Sequence, residues 1–182
     1  MKGHIFNLLE QFIIEQAGDE AFENILDACQ FITTEPFIRS GTYPDEDLIE
    51  LVTQTCKQLN LTPKDAHLGF GKWIFPHLTK IAPPEVTTFT HPKELFLQLD
   101  HIHRVELKKI WPDAEPPRFK CIDTGTNTVT MTYDSKREMT DLVEGVIESV
   151  ATNYKTPIRF TKKAHKGEEH NIYEYFLTFG KS

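Results

Sequence analysis

Apolar residues recur at helical spacing through the first part of the chain. Ile5, Leu8, Leu9, Phe12 and Ile13 form one stripe, and Gly18 is placed to stop that helix. Asp19 is expected to cap a second helix that turns Phe22, Ile25, Leu26 and Cys29 inward. A stretch rich in Thr, Pro and Gly, from about Thr33 to Tyr43, breaks the pattern. Periodicity resumes with Pro44 as a first helical residue and with Asp45 and Glu46 at the positive end of the helix dipole. Leu48, Leu51, Val52, Cys56 and Leu59 make its buried face. Thr62, Pro63 and Asp65 begin another helix in the same manner, carrying Leu68, Phe70, Trp73, Ile74 and Leu78.

Past the breaker Ala82-Pro83-Pro84, a helix opens at Pro92 and must end before Pro112, where a proline-rich run to Pro117 fixes the direction of the chain. The period then changes to two. Arg118 to Asp123 and Thr128 to Tyr133 read as strands around the turn Thr124-Gly125-Thr126-Asn127. Val129, Met131 and Tyr133 lie on one side, with Thr128, Thr130 and Thr132 on the other. A helix with Leu142, Val143, Val146, Ile147 and Val150 follows. Pro157 to Lys163 and Ile172 to Phe179 form a second hairpin around His165-Lys166-Gly167. The predicted class is α+β in a single domain over residues 1–182. Residues 1–82 are mainly helical, and residues 83–182 add a further helix and an antiparallel sheet.

A chain of 182 residues can bury a sizeable core as one domain. Its formal charge of -7 argues against nucleic acid or an anionic membrane surface as partner. No apolar run approaches a membrane span, so no membrane insertion is expected. Glu10 interrupts the N-terminal apolar run, which therefore reads as part of the fold and not as an export signal. Cys29, Cys56 and Cys121 are odd in number and widely spaced, fitting neither a disulfide framework nor a CxxC metal site. A reducing cytoplasm is the expected compartment.

Two groups of residues carry candidate chemistry. The first lies on the helix between Leu95 and Trp111, where Phe96, Leu99, His103, Leu107 and Ile110 share a stripe and an imidazole interrupts an apolar face. A buried neutral imidazole needs a partner for each ring nitrogen and is also the commonest protein ligand for a transition metal. His103 is thus either a satisfied core histidine or a ligand. His101 lies roughly 200° round the helix and cannot join it on one ion. The second group is Tyr133-Asp134-Ser135-Lys136-Arg137, a Y-x-S-x-R run leaving a strand. A phenol, a hydroxyl and a guanidinium at alternate positions can converge on a carboxylate or phosphate, helped by the start of the next helix. The plainer alternative is an edge tyrosine, a helix-capping serine and a solvated arginine.

Taken together, the D-x-x-H element (Asp100 to His103), the PDA-x-PPR run (Pro112 to Arg118) and the YxSxR motif resemble the H-NOX family. This is the haem nitric oxide/oxygen binding domain related to the sensor of soluble guanylate cyclase. The opening MKG-x-IFNLLE and YPDEDLIELV, from Tyr43 to Val52, resemble it too, so the likeness covers essentially the whole chain. The resemblance implies a haem b, iron protoporphyrin IX, held between the helical and sheet parts. His103 would be the iron ligand and Tyr133, Ser135 and Arg137 the propionate cradle, with Ile5 and Pro117 pressing on the porphyrin. Pro116 is the other candidate for the pressing proline, and the alternative for both is a plain turn in the chain.

Oxygen-binding relatives carry a distal tyrosine where this chain has Leu142, and a helper asparagine at the position aligned with Ile74. Leu142 is equally suited to be a core leucine of its helix. Bound dioxygen is polarised and held by a hydrogen-bond donor, whereas nitric oxide and carbon monoxide depend far less on one. The resemblance therefore implies a sensor of nitric oxide, also binding carbon monoxide but not dioxygen, with no catalysis of its own. It would signal through release of His103 to a separate protein such as a histidine kinase or a cyclic-di-GMP enzyme. Two rivals differ in class. A haem peroxidase would need a distal acid–base pair, for which His4, His67 and His77 are the candidates. A haem-free interaction module would use His103 as a core residue alone.

Overall fold

Helices α1 (Gly3–Ala17), α2 (Asp19–Ala28), α3 (Asp45–Leu59) and α4 (Pro63–Leu78) make up the N-terminal half in a computed structural model that describes residues 1–180. Two short 3₁₀ turns lead to α5 (Pro92–His101), a π-helical turn over Ile102–Glu106, and α6 (Leu107–Ile110). Strands β1 (Arg118–Gly125) and β2 (Thr128–Asp134) come next, then α7 (Thr140–Asn153), β3 (Ile158–Lys166) and β4 (Asn171–Phe179). The four strands form one antiparallel sheet in the order β1-β2-β4-β3. The fold is α+β, as the change of period along the chain requires.

Alternation places Val129, Met131 and Tyr133 of β2 on the covered face of the sheet, beside Tyr175 and Leu177 of β4 and Phe119 of β1. With Phe96 of α5 and Ile147 and Val150 of α7 they form one apolar cluster. A second cluster joins Phe6, Leu9 and Ile13 of α1 to Ile25, Leu48, Leu51, Phe70 and Ile74. Val146 of α7 packs against both. The two are stitched together where α4 crosses α7 at paired glycines, with Gly71 and Gly145 backbone to backbone. A Cβ on Gly71 would lie 2.9 Å from Gly145 Cα and nearer still to the Leu142 carbonyl oxygen.

Because the obstacle is backbone, Gly71→Ala has no flexible side chain to displace. Overpacking of this kind costs about 1–3 kcal/mol, and about 2–4 °C of Tm follows each kcal/mol at this chain length. Gly69 lies on the same helix but away from the crossing, and a Cβ there meets only Phe12 Cζ at 3.4 Å. Calorimetry is expected to show Gly71→Ala melting roughly 5 °C or more below wild type, with Gly69→Ala unchanged or raised.

The structure corrects several local expectations. The helix opened by Pro92 is not continuous, and the π turn adds a residue that rotates everything after His103. Ile110 is consequently 49% exposed while Trp111 is buried, so the predicted stripe ends at His103 with Leu107 only half-buried. The local cause is visible at Leu99, whose carbonyl accepts from the His103 ring at 2.9 Å and thereby draws a side chain into the helical ladder. Asp19 is the first residue of α2, with Gly18 as its cap at φ 88. Leu26 is 37% exposed and does not belong to the inward face. Pro44 is the cap of α3 and not its first helical residue. His165 and Lys166 belong to β3, so the second hairpin turns at 167–170.

Candidate cofactor site

His103 sits in the π turn between α5 and α6, facing β1. Its Nδ1–H donates to the Leu99 carbonyl, 2.9 Å away, and this fixes the tautomer. The Nε2 lone pair is left available, and among the described residues it has no hydrogen-bond partner. Burial lowers the pKa of the imidazole, opposed by the Leu99 bond and the Asp100 charge, so the ring is neutral near pH 7. A neutral ring with Nδ1 committed to a carbonyl and Nε2 bare is the form in which histidine binds a metal.

Among the described residues no cluster of three His, Cys, Asp or Glu side chains could hold a metal ion by itself. An ion bound at His103 would then have to draw on ligands other than such a cluster, for example a non-protein group. A porphyrin meets that requirement, since it supplies four nitrogens and leaves one axial position to the protein.

The second group of residues lies on the same side of the sheet. The His103 ring centroid is 5.0 Å from that of Phe119, which is 5.5 Å from that of Tyr133. Phe119 thus lies between His103 and Tyr133. The sequence signalled that placement only through its place as the first inward position of β1. Tyr133 is 3% exposed, and its hydroxyl accepts from the Met139 N–H at 3.2 Å. Burial raises its pKa, while Ser135, Met139 and Arg137 pull it back down. The Ser135 hydroxyl accepts from the Arg137 N–H at 3.3 Å. Ser135 does not cap α7, whose cap is Met139.

The Arg137 guanidinium faces a carboxylate of the chain itself. Its Nη1 donates to the Glu115 carbonyl at 2.9 Å and its Nη2 to Asp45 Oδ1 at 3.1 Å. Its Nε lies 2.7 Å from Asp45 Oδ2, although that N–H is not aligned for a hydrogen bond. Burial alone would raise the Asp45 carboxyl. Hydrogen bonds from the Met1 amino group and Arg137, with their charges, hold it below the usual carboxylate value instead. Arg137 is thus aimed at a carboxylate in a partly dry setting and keeps N–H capacity for another, the same acidic group that a haem propionate offers. The donor set fits haem.

Ile5 is half-buried on α1, and Pro117 is half-buried directly before β1. Ile74 (3% exposed) and half-buried Leu142 belong to the N-terminal apolar cluster, each three residues from the glycine of its helix at the α4–α7 crossing. Of the histidines considered for acid–base work, His67 and His77 are engaged elsewhere, whereas the buried Nε2 of His4 has no hydrogen-bond partner among the described residues. His67 and His77 donate from Nδ1 to the carbonyls of Pro63 and Trp73, at 2.7 and 3.1 Å, and His77 stacks on Trp73 with centroids 3.8 Å apart. His4 is buried against Trp111 at 5.1 Å.

A family profile described as haem-NO-binding matches residues 2–162. Over its whole length the chain superposes on an unliganded Fe(II) H-NOX protein from K. algicida, with a TM-score of 0.87 at 21% identity and 98% of that chain covered. An H-NOX protein from S. oneidensis in its Fe(II)NO state gives a TM-score of 0.85 at 20% identity, covering all of both chains. A soluble guanylate cyclase of Caenorhabditis elegans is 23% identical over 155 residues, which is 83% of this chain and 23% of the cyclase. The chain thus spans about a quarter of that relative's length.

Proposed function

The chain belongs to the haem-NO-binding family, known as H-NOX, whose members are haem-based gas-sensor domains, and we propose that it senses nitric oxide through ferrous haem b and signals to a separate protein. The observation that carries this reading is the state of His103, with Nδ1–H spent on Leu99 and Nε2 free, connected through Phe119 to the Tyr133 hydroxyl. When bound, the haem would supply an iron that takes up a diatomic gas. His103 would hold that iron from its neutral ring. Tyr133, Ser135 and Arg137 bind the propionates, with Arg137 shared between them and Asp45. Ile5 and Pro117 press on the porphyrin from α1 and from the proline turn. Leu142 and Ile74 give the gas an apolar wall without a hydrogen-bond donor, which suits nitric oxide and carbon monoxide and penalises dioxygen.

The signal would arise on release of His103. Its ring stays bonded to Leu99 through Nδ1 and packs against Phe119, so its displacement would shift Ile102–Glu106 and be passed to β1. Moving a population from 1:99 to 99:1 takes about 5.5 kcal/mol of differential binding, a scale that the gain or loss of a metal–ligand bond covers. The receiving protein is a histidine kinase or a cyclic-di-GMP enzyme in the cytoplasm, and the chain itself catalyses nothing. No described helix is long and apolar enough to cross a membrane.

The absorption spectrum of the ferrous protein under argon, air, carbon monoxide and nitric oxide tests this function. The Soret band is expected to stay unchanged in air and to shift with the other two gases. A stable oxygen complex would remove the selectivity, and a protein that stays colourless after reconstitution would remove the haem.

A further inference from the structure

The segment that leaves β2 uses its side chains alternately. Tyr133, Ser135 and Arg137 form the cradle, while Asp134, Lys136 and Glu138 reach the opposite way, to Glu169–Tyr173 at the turn and start of β4. His170 Nε2 donates to Asp134 Oδ1 at 2.6 Å, and Lys136 Nζ lies 3.2 Å from Glu169 Oε2. The Glu138 carboxylate accepts three hydrogen bonds, from the Asn171 N–H at 2.9 Å, the Asn171 side-chain amide at 3.1 Å and the Tyr173 hydroxyl at 2.7 Å. These bonds hold the Glu138 carboxyl below its usual pKa, so it is ionised at neutral pH. Lys136 and Glu169 are both largely exposed and contribute little.

Glu138 differs from the others in its backbone. Its φ of 45° is left-handed, a region that a residue with a Cβ occupies only when its surroundings impose it. The turn it makes is tight, since its N–H donates to the Ser135 carbonyl at 3.1 Å and its own carbonyl accepts from Thr140 at 2.7 Å. Arg137 immediately precedes this turn, and Met139, whose N–H sits on the Tyr133 hydroxyl, immediately follows it. Any relaxation at residue 138 therefore swings Arg137 on one side and, on the other, Met139, whose N–H is bonded to the Tyr133 hydroxyl.

We infer that Glu138 is a positioning residue for the propionate cradle, its carboxylate tied to Asn171 and Tyr173 so that the left-handed turn aims Arg137 and seats Met139 on Tyr133. The inference rests on the reading of Tyr133, Ser135 and Arg137 as the propionate site. It assigns the intervening residues of the YxSxR run to the β3–β4 hairpin, which becomes the outer support of the site. Glycine adopts the left-handed turn freely but has no carboxylate, so Glu138→Gly separates the tie from the strain. Tyr173→Phe removes one donor and leaves the turn residue in place.

The test uses the haem-loaded full chain with three readouts. These are the rate of haem transfer to an apoglobin scavenger, the propionate bending and iron–histidine stretching bands in the resonance Raman spectrum, and the melting temperature of the haem-free protein. Glu138→Gly is expected to lose haem roughly tenfold faster or more, the scale on which outer-shell partners of a metal site act. Its propionate band should shift and its iron–histidine band should not. Tyr173→Phe should do the same to a smaller degree, and Glu138→Gln should restore part of the retention. Variants that hold haem as wild type does, or whose haem loss only tracks a fall in the melting temperature of the haem-free protein, would overturn the inference. Wild-type protein that takes up no haem would overturn the underlying reading as well, which keeps the two failures apart.

Discussion

His103→Gly is expected to lose haem more than about a hundredfold faster than wild type and to regain most of its retention in millimolar imidazole. The ring geometry is the reason. Nδ1 is already satisfied by Leu99, so Nε2 is free to bind something that the chain does not itself supply. Outer-shell partners of a metal ligand are worth about 10- to 100-fold in affinity, and removing the ligand itself must exceed that. A histidine that only filled space would behave differently. Its truncation would cost about 2–5 kcal/mol of stability through the cavity left behind, with or without haem, and imidazole would not return any pigment. Melting the haem-loaded and haem-free forms side by side separates the cases, because a ligand that binds only the folded state raises its stability in proportion to RT ln(1 + [L]/Kd). In the variant that increment should vanish without imidazole and return with it. If the imidazole-rescued protein still passes the nitric oxide response to its partner as wild type does, release of His103 is not the signal.

The same histidine shows which parts of the molecule were legible in the sequence. Its face was read correctly up to residue 103, because α5 obeys a 3.6 period as far as that point. The inserted residue of the π turn could not be read, since a single shift in phase leaves the composition of the stripe unchanged and only the burial of Ile110 and Trp111 reveals it. The hairpin of β1 and β2 was legible because alternation fixes faces, and Val129, Met131 and Tyr133 are all on the covered side. That same alternation hid the task of Asp134, Lys136 and Glu138. Their partners, Glu169 to Tyr173, lie more than thirty residues on, in the turn before β4 and its start, and no local pattern links the two.

Gly71 and Gly145 make the opposite case. Each sits inside a helix, where glycine costs about 1 kcal/mol relative to alanine, and that cost was a readable sign of a close approach. What it could not say is that the two glycines meet each other. The crossing they permit brings α4 against α7, with Ile74 and Leu142 in the N-terminal apolar cluster beside it. The carboxylate on Arg137 was likewise out of reach of the sequence. Asp45 was read only as a residue suited to a helix start, whereas in the fold it is the anion that orients the guanidinium.

Ile74→Asn with Leu142→Tyr is expected to turn the ferrous protein into a stable oxygen binder while changing carbon monoxide affinity by no more than severalfold. Both positions belong to one apolar cluster, each three residues from its helix's glycine at the crossing, so the pair of substitutions would put a phenol from α7 and an amide from α4 into that cluster. A hydrogen bond to a polarised group is worth about 1.5–3 kcal/mol, or roughly ten- to a hundredfold in affinity. Leu142→Tyr alone should deliver less than the pair. Its hydroxyl would have no partner in the gas-free state except what the apolar wall offers, and burying an unpaired hydroxyl costs about 1–3 kcal/mol. The amide introduced by Ile74→Asn would hold that hydroxyl in both states, so the double variant should exceed the sum of the singles. Equilibrium oxygen titration of wild type, the two single variants and the double variant measures this coupling directly. Additive or absent gains in oxygen affinity would mean that Leu142 is simply a core leucine of α7, and that gas selection is decided by other residues.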